Sequence, residues 1–444
     1  MKNYKNKKVL ILGLGVSGRA AAAFLLRRGA SVSGIDQNKS SLEHHDEIKE
    51  LHAKGLQLLW NPALLNFKAW DEMIVSPGVP NTNPFYEGAI LAGLTILGET
   101  ELGFSALNQP CIGITGSNGK TTATLLIEHV LNSVGKKAKA VGNIGTPLTS
   151  VVDSANPEEI LVVELSSWQL ETLKSRKLDA AVLLNITPNH LDRHGTLEKY
   201  AEAKINMGNC LKTDKKLIVG AHVYEQFKPL LEGFSLYTYG YSPTSNFYCD
   251  KQSVFKDEKL EFILPSLYRD RVTHDVENMM AAYAALCEMG VTAENFLQAF
   301  NTFKKPPHRI EFVKKIKNVA YYNDSKGTSL DAVAKAVKSL QGDSILIAGG
   351  RHKGASYCPW INDFEGHVRF ICAIGEAATL IKSELGHFVP VEIFDSLESA
   401  VIHASKMARD GENVLLSPGC SSYDMFKDYA HRGEEFKRIV YALT

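Results

Sequence analysis

The sequence carries no excess of either charge: 49 Lys and Arg stand against 49 Asp and Glu, for a formal net charge of zero. Chains that coat nucleic acid or lie on anionic membranes carry a basic surplus, so neither partner is expected and anion binding should be confined to local sites. Long apolar runs are lacking too, and none approaches the roughly 18 residues of a membrane span. The opening MKNYKNKKVLILGLGVSGRAAAAF mimics a signal peptide, but Gly13, Gly15 and Gly18 interrupt its apolar stretch, and Arg27 and Arg28 end the next segment. A strand, a tight turn and a helix fit that pattern better. No C-x-x-C spacing occurs among the seven cysteines, Cys111, Cys210, Cys249, Cys287, Cys358, Cys372 and Cys420. An odd number cannot all pair within the chain, and they read as reduced thiols of a cytoplasmic protein. Internal repeats and low-complexity tracts are absent. With 45% hydrophobic and 22% charged residues the composition is that of a folded globular chain, neither disordered nor fibrous.

Short β-branched or leucine-rich runs alternate with longer amphipathic stretches: VLIL (9–12), IGIT (112–115), ILVVE (160–164), AVLLNIT (181–187), SILIAGG (344–350) and VLLSPG (414–419). This is the rhythm of parallel α/β sheets, in which ligands bind beyond the carboxyl ends of the strands. At 444 residues, about three domains are expected. FSALNQP (104–110) and the proline pair in KKPPH (304–308) mark the connections, giving blocks 1–104, 105–306 and 307–444.

Three groups of residues carry chemistry. Gly13-Leu-Gly15-Val-Ser-Gly18 follows the first strand and opens a helix, with Asp36 at the end of the next strand. Such a turn brings backbone amides to a diphosphate, and the acid can hold a ribose; nicotinamide or flavin chemistry stays open on this motif alone. Thr115-Gly-Ser-Asn-Gly-Lys-Thr-Thr122 likewise stands between a strand and a helix. There the loop amides would wrap nucleotide phosphates, Lys120 neutralise them, and the Thr121 hydroxyl reach Mg²⁺. Ile114 replaces the first glycine of the strict phosphate-loop spacing. Glu164 closes the strand ILVVE, a suitable place for a carboxylate ligand of a hard cation. His190, His194 and Lys204 follow another strand; taken singly, such residues are more often structural or solvated than functional.

Together TGSNGKTT, GNIG (142–145), ELSSWQLE (164–171), NITPNHLDRHGTLEKYAEAK (185–204), HDVENMMAA (274–282), HRIEFV (308–313), NDSKGTS (323–329) and LLSPGCSSYDMFKDYAHRG (415–433) resemble the bacterial Mur ligases, in that family's order and across all three blocks. GLGVSG and SPGVP (76–80) bring the wording nearest to the members that add D-glutamate. The resemblance implies an α/β chain of three domains: a Rossmann-like N-terminal domain, a central P-loop ATPase-like parallel-sheet domain and a C-terminal Rossmann-like domain. It implies amide bond formation in peptidoglycan synthesis, with ATP, UDP-N-acetylmuramoyl-L-alanine and D-glutamate as substrates, two Mg²⁺ sites and a cytoplasmic monomer. By the same resemblance Gly116, Ser117, Asn118, Gly119, Lys120, Thr121, Thr122, Asn278, Arg309, Asp324 and Lys326 hold ATP, and Lys326 also steadies the intermediate. Val16, Ser17, Gln37, Asn38, Ser76 and Asn143 hold the UDP-sugar. Thr328, Lys353, Ser422 and Tyr429 hold D-glutamate. Thr121, Glu164, His190 and Lys204 hold metal, the lysine as its carbamate.

The chain departs from the family pattern at Asp275, where Asn is common, and at Tyr429, where Phe is frequent. Gln37 and Asn38 put no positive charge at the UDP site. Rival readings are a dinucleotide-dependent oxidoreductase, a non-catalytic nucleotide-binding scaffold, a Mur ligase for another amino acid, and a folylpolyglutamate synthase. The first leaves TGSNGKTT and NDSKGTS without a role; the last generally lacks a block like residues 1–104.

Overall fold

The apolar runs resolve into strands of three separate sheets, in a computed structural model that describes residues 2–37, 45–59, 65–266, 274–364 and 366–443. The chain divides into two units, Met1–Ile186 with Glu198–Phe303, and Thr187–Leu197 with Lys304–Thr444. The first unit contains two of the three α/β domains. No helix among the described residues is long and apolar enough to cross a membrane.

The N-terminal sheet comprises β1 (Lys8–Leu12), β2 (Ser31–Ile35), β3 (Gln57–Leu58), β4 (Glu72–Val75) and β5 (Thr95–Gly98), in the order β3-β2-β1-β4-β5 and parallel throughout. The strand order reverses between β1 and β4, which opens a crevice beyond their carboxyl ends. The glycine-rich turn enters that crevice from β1, and the helix Val16–Arg27 leaves it, burying Ala21, Phe24 and Leu25. Gly18 is required there: a Cβ at this position would lie 1.9 Å from the Gly13 carbonyl oxygen.

The connection anticipated at 104–110 is helical up to Ala106, as the end of the helix Glu99–Ala106. Its acids are buried anchors. Glu99 accepts from the Thr149 amide (2.8 Å) and hydroxyl (2.7 Å), and Glu101 from the amides of Lys174 and Ser175.

The second sheet contains β6 (Cys111–Thr115), β7 (Ala138–Gly142), β8 (Ile160–Glu164), β9 (Ala180–Leu183), β10 (Leu217–Gly220), β11 (Leu236–Gly240), β12 (Phe247–Cys249), β13 (Ser253–Lys256) and β14 (Lys259–Ile263), ordered β14-β13-β12-β11-β10-β9-β6-β8-β7. It is parallel from β7 to β12, but β13 pairs antiparallel with both β12 and β14, a departure from the all-parallel expectation. The connections are too short for a parallel crossover: three residues join β12 to β13, and Asp257 and Glu258, both at positive φ, form a two-residue hairpin between β13 and β14. The helices Lys120–Ser133 and His274–Glu288 pack on this sheet, the second buried from Asn278 to Leu286.

The third sheet, in the other unit, comprises β15 (Glu311–Ile316), β16 (Val319–Asn323), β17 (Ser344–Gly349), β18 (Val368–Ile374), β19 (Val391–Phe394) and β20 (Asn413–Leu416), ordered β15-β16-β20-β17-β18-β19. Only β15 is antiparallel, again through a tight turn at Lys317 and Asn318 with positive φ. Both faces are covered, one by the helices Leu397–Met407 and Tyr429–Ala442 and the other by Leu330–Ser339 and Ala378–Leu385. Loops from the adjacent strands β16, β20 and β17 therefore emerge side by side.

Candidate active site

In the first unit a cavity of about 810 Å³ begins at the N-terminal crevice. Val16, Ser17, Gln37, Ser76 and Asn143, five of the six residues expected to hold the UDP-sugar, line it; Asn38 lies outside the described residues. Ser76 donates from its hydroxyl to the Gly13 carbonyl at 2.7 Å, which sets the turn against the end of β4. Asp36 also lines the cavity, and its carboxylate accepts from the Leu14 amide at 2.7 Å, which braces the turn. At the far end the wall is formed by Asn143 and Gly145 of GNIG and by Trp168 and Gln169 of ELSSWQLE.

Beyond β6 the phosphate loop is held by residues that the motif itself does not contain. Gly116 and Gly119 take positive φ, and a Cβ on Gly119 would lie 2.3 Å from the side-chain oxygen of Asn278. Asn185, which follows β9, accepts from the Asn118 amide at 2.8 Å and donates to the Asn118 carbonyl at 3.1 Å, while its own carbonyl accepts from the Ser117 amide. Lys120 Nζ donates to the Gly116 and Ser117 carbonyls at 2.8 and 3.0 Å, at the start of the helix that carries Thr121 and Thr122. Amides at a helix N-terminus and an adjacent ammonium make an anion site.

Glu164 ends β8 beside this loop, its residue paired in register with Ile114 of β6. Its Oε1 accepts from Asn143 Nδ2 at 2.7 Å; its Oε2 is buried with no hydrogen-bond partner. Lys204, on the helix Leu197–Ile205, is 1% exposed, donates to the Gly116 carbonyl at 2.9 Å and lies 4.5 Å over the Tyr200 ring. Burial and the neighbouring Lys120 ammonium hold its pKa well below the ordinary lysine value, against the pull of Glu164. Among the described residues no three His, Cys, Asp or Glu side chains converge. The unsatisfied Glu164 oxygen next to a phosphate loop nonetheless fits a hard cation, with the Thr121 hydroxyl as a further oxygen donor.

In the second unit NDSKGTS leaves β16. Asp324 accepts from the Ser417 hydroxyl at 2.6 Å and from the Ile310 amide at 3.2 Å. Burial drives its pKa up to about 7, against these hydrogen bonds and the charges of Arg309 and Arg432. Lys326 lies 4.9 Å over the Tyr429 ring, and its amide donates to the His308 carbonyl. His308 is buried against Gly433, where a Cβ would be 2.2 Å from its ring. Lys353 donates to the Thr328 carbonyl at 2.8 Å, and with Thr328 and His190 it lines a cavity of about 30 Å³. Ser422 and Tyr429 are not among the described residues that line it.

Sequence reasoning missed Asn185, Tyr200, Ser325 and Arg432. Each has a partner 67 to 107 positions away along the chain, which no spacing announces. A weak signal existed: all four lie inside the family-like strings.

Fold and site together define a nucleotide-binding α/β protein of three domains, with a phosphate loop in the second and strand-end loops in the third. Residues 7–98 match the MurD-like N-terminal domain of Mur ligases, residues 114–286 the Mur ligase middle domain, and residues 308–420 the glutamate ligase domain of Mur ligases. The chain is 49% identical over 440 residues to the UDP-N-acetylmuramoylalanine--D-glutamate ligase of Protochlamydia amoebophila, covering 99% of each. It is 36% identical to the protein of the same name from Pelotomaculum thermopropionicum, covering 100% of this chain and 99% of the relative. The MurF ligase of Thermotoga maritima, solved in complex with ADP, shares the fold at a TM-score of 0.61 and 16% identity, over 98% of this chain and 96% of that one. The chain belongs to the Mur ligase family.

Proposed function

We propose that this chain joins D-glutamate to UDP-N-acetylmuramoyl-L-alanine, with cleavage of ATP, in peptidoglycan synthesis. The observation that supports it most is Asn143, which lines the large N-terminal cavity and also bonds Glu164 beside the phosphate loop. A sugar nucleotide held by the glycine-rich turn would thus extend its acyl end to the place where a γ-phosphate arrives. An oxidoreductase has no use for that continuity.

A carboxylate does not react with an amine at neutral pH until its oxygen becomes a leaving group. Transfer of the γ-phosphoryl of ATP to the alanyl carboxylate makes an acyl phosphate; the amine of D-glutamate attacks the carbonyl carbon, and the tetrahedral intermediate expels phosphate. The chain's part is positioning and charge neutralisation. The turn amides with Val16, Ser17, Gln37 and Ser76 take the UDP moiety, where the helix N-terminus replaces a basic side chain. Gly116 to Thr122 and Lys120 cradle the ATP phosphates. Thr121, Glu164, His190 and Lys204 as its carbamate would hold Mg²⁺, which when bound screens the crowded phosphate oxygens. Asn278, Arg309, Asp324 and Lys326 take the rest of the nucleotide. Thr328, Lys353, Ser422 and Tyr429 take D-glutamate, Lys353 meeting a carboxylate. Domains at 1–104, 105–306 and 307–444, two metal sites, a monomer and a cytoplasmic location complete the reading.

Incubation with ATP, Mg²⁺, UDP-N-acetylmuramoyl-L-alanine and single amino acids, with product mass as readout, tests it. The expected product carries D-glutamate. Ligation of meso-diaminopimelate or L-lysine instead, or full-rate ADP formation without the sugar nucleotide, would overturn the reading.

A further inference from the structure

Arg432 is a buried cation that the mechanism above does not use. It sits in the first turn of the helix Tyr429–Ala442, 1% exposed. Its Nε donates to the Ser325 hydroxyl at 3.0 Å, and its Nη2 to the Ser325 carbonyl at 2.8 Å and to the Cys420 carbonyl at 3.2 Å. The Ser325 hydroxyl in turn donates to the Tyr429 carbonyl at 2.8 Å. One planar fork therefore joins three separate pieces of chain. Ser325 stands between Asp324 and Lys326, Cys420 stands two residues before Ser422, and Tyr429 begins the helix. Gly350, at the end of β17, leaves room for the guanidinium: a Cβ there would be 3.2 Å from Nη1 and 2.3 Å from the Ser421 carbonyl oxygen. Every hydrogen bond that Arg432 makes goes to an uncharged oxygen, and burial lowers its pKa to about 10. A buried charge whose hydrogen bonds all go to neutral oxygens, with the Asp324 and Asp424 carboxylates near it but not bonded to it, is an expensive way to tie loops together unless their relative placement matters.

We infer that Arg432 is a positioning residue for the acceptor amino-acid pocket, locking the Asp324–Thr328 and Cys420–Ser422 loops and Tyr429 in register. This role rests on the ligase reading above. Lysine keeps the charge but cannot bond the Ser325 carbonyl, the Ser325 hydroxyl and the Cys420 carbonyl in one plane.

The test is steady-state kinetics of Arg432→Lys, Arg432→Met and Ser325→Ala, each substrate varied in turn, with thermal unfolding alongside. The expected result is a D-glutamate KM raised about tenfold or more in both Arg432 variants, about threefold in Ser325→Ala, and a sugar-nucleotide KM within about twofold of the parent; a tenfold change corresponds to about 1.4 kcal/mol. An unchanged D-glutamate KM in a folded variant would overturn the inference, as would a fall in kcat alone or full recovery by Arg432→Lys. Should both Arg432 variants fail to fold, Ser325→Ala decides by the same criterion. A parent enzyme that ligates some other amino acid would refute the ligase reading while leaving Arg432 testable on that substrate.

Discussion

Lys204 poses a chemical problem: an ammonium there would repel any cation bound by Glu164. Its burial and the nearby Lys120 favour the neutral amine, the form that attacks CO₂ to give a carbamate and release a proton. Lys204→Ala is therefore expected to lose most ligase activity, and a short carboxylic acid supplied to that variant to restore part of it. A fully active Lys204→Ala enzyme would count against the carbamate. Asp324 makes a second prediction, about pH. Its pKa in the folded chain is raised from 3.8 to about 7, so between about pH 4 and 7 the folded state keeps a proton that the unfolded state has released. The stability contributed by this group is fully present below the unfolded value and is lost as pH rises through the folded one. Asp324→Asn does not titrate, so its melting temperature relative to the parent should rise from pH 5 to pH 8. A constant difference across that range would contradict the assignment.

The phosphate loop is a short element whose shape is imposed from outside. Asn185 supplies both an acceptor and a donor to Asn118, and replacing it by Ala leaves a loop amide without its partner, at a cost of about 1–3 kcal/mol. Asn185→Ala should raise the ATP KM about tenfold and leave the affinity for the sugar nucleotide, measured by calorimetry, nearly unchanged. Equal weakening of both would mean that the loop and the N-terminal cavity are not separable in this way. The contrast between Lys120 and Asn185 shows what the sequence makes legible. Lys120 lies within a local string whose strand, loop and helix can be read in order. Asn185 lies 67 positions from its partner, and only the adjacency of β6 and β9 brings the two together. The antiparallel edges were hidden for another reason. Asp257-Glu258 and Lys317-Asn318 adopt left-handed backbone without glycine, so the usual turn signal was missing. Five residues lining the N-terminal cavity were named through the resemblance, and they sit where Rossmann-like turns place ligands, beyond the strand ends.

For the molecule as a whole, the sequence predicts a break at the proline pair, and the unit boundary falls between Phe303 and Lys304. Lys304 and Lys305 are exposed, and Pro306 protects the bond that comes after Lys305. Among the described residues, brief trypsin treatment should therefore cut after Lys304, giving pieces of 304 and 140 residues (444 less 304) by mass spectrometry. Persistence of the intact chain under conditions that cut other exposed lysines would show this connection to be shielded. The boundary has a second feature. Residues Thr187–Leu197, which include His190, lie in the middle of the sequence yet belong to the second unit, where the Thr187 hydroxyl donates to Asp331 at 3.3 Å. A gene fragment that starts at residue 304 would thus encode Asp331 without Thr187 and the candidate pocket without His190. Chimaeras between relatives that exchange only the carboxyl-terminal third would pair one parent's helix with the other parent's inserted segment, so the inherited module is two stretches of DNA that must travel together.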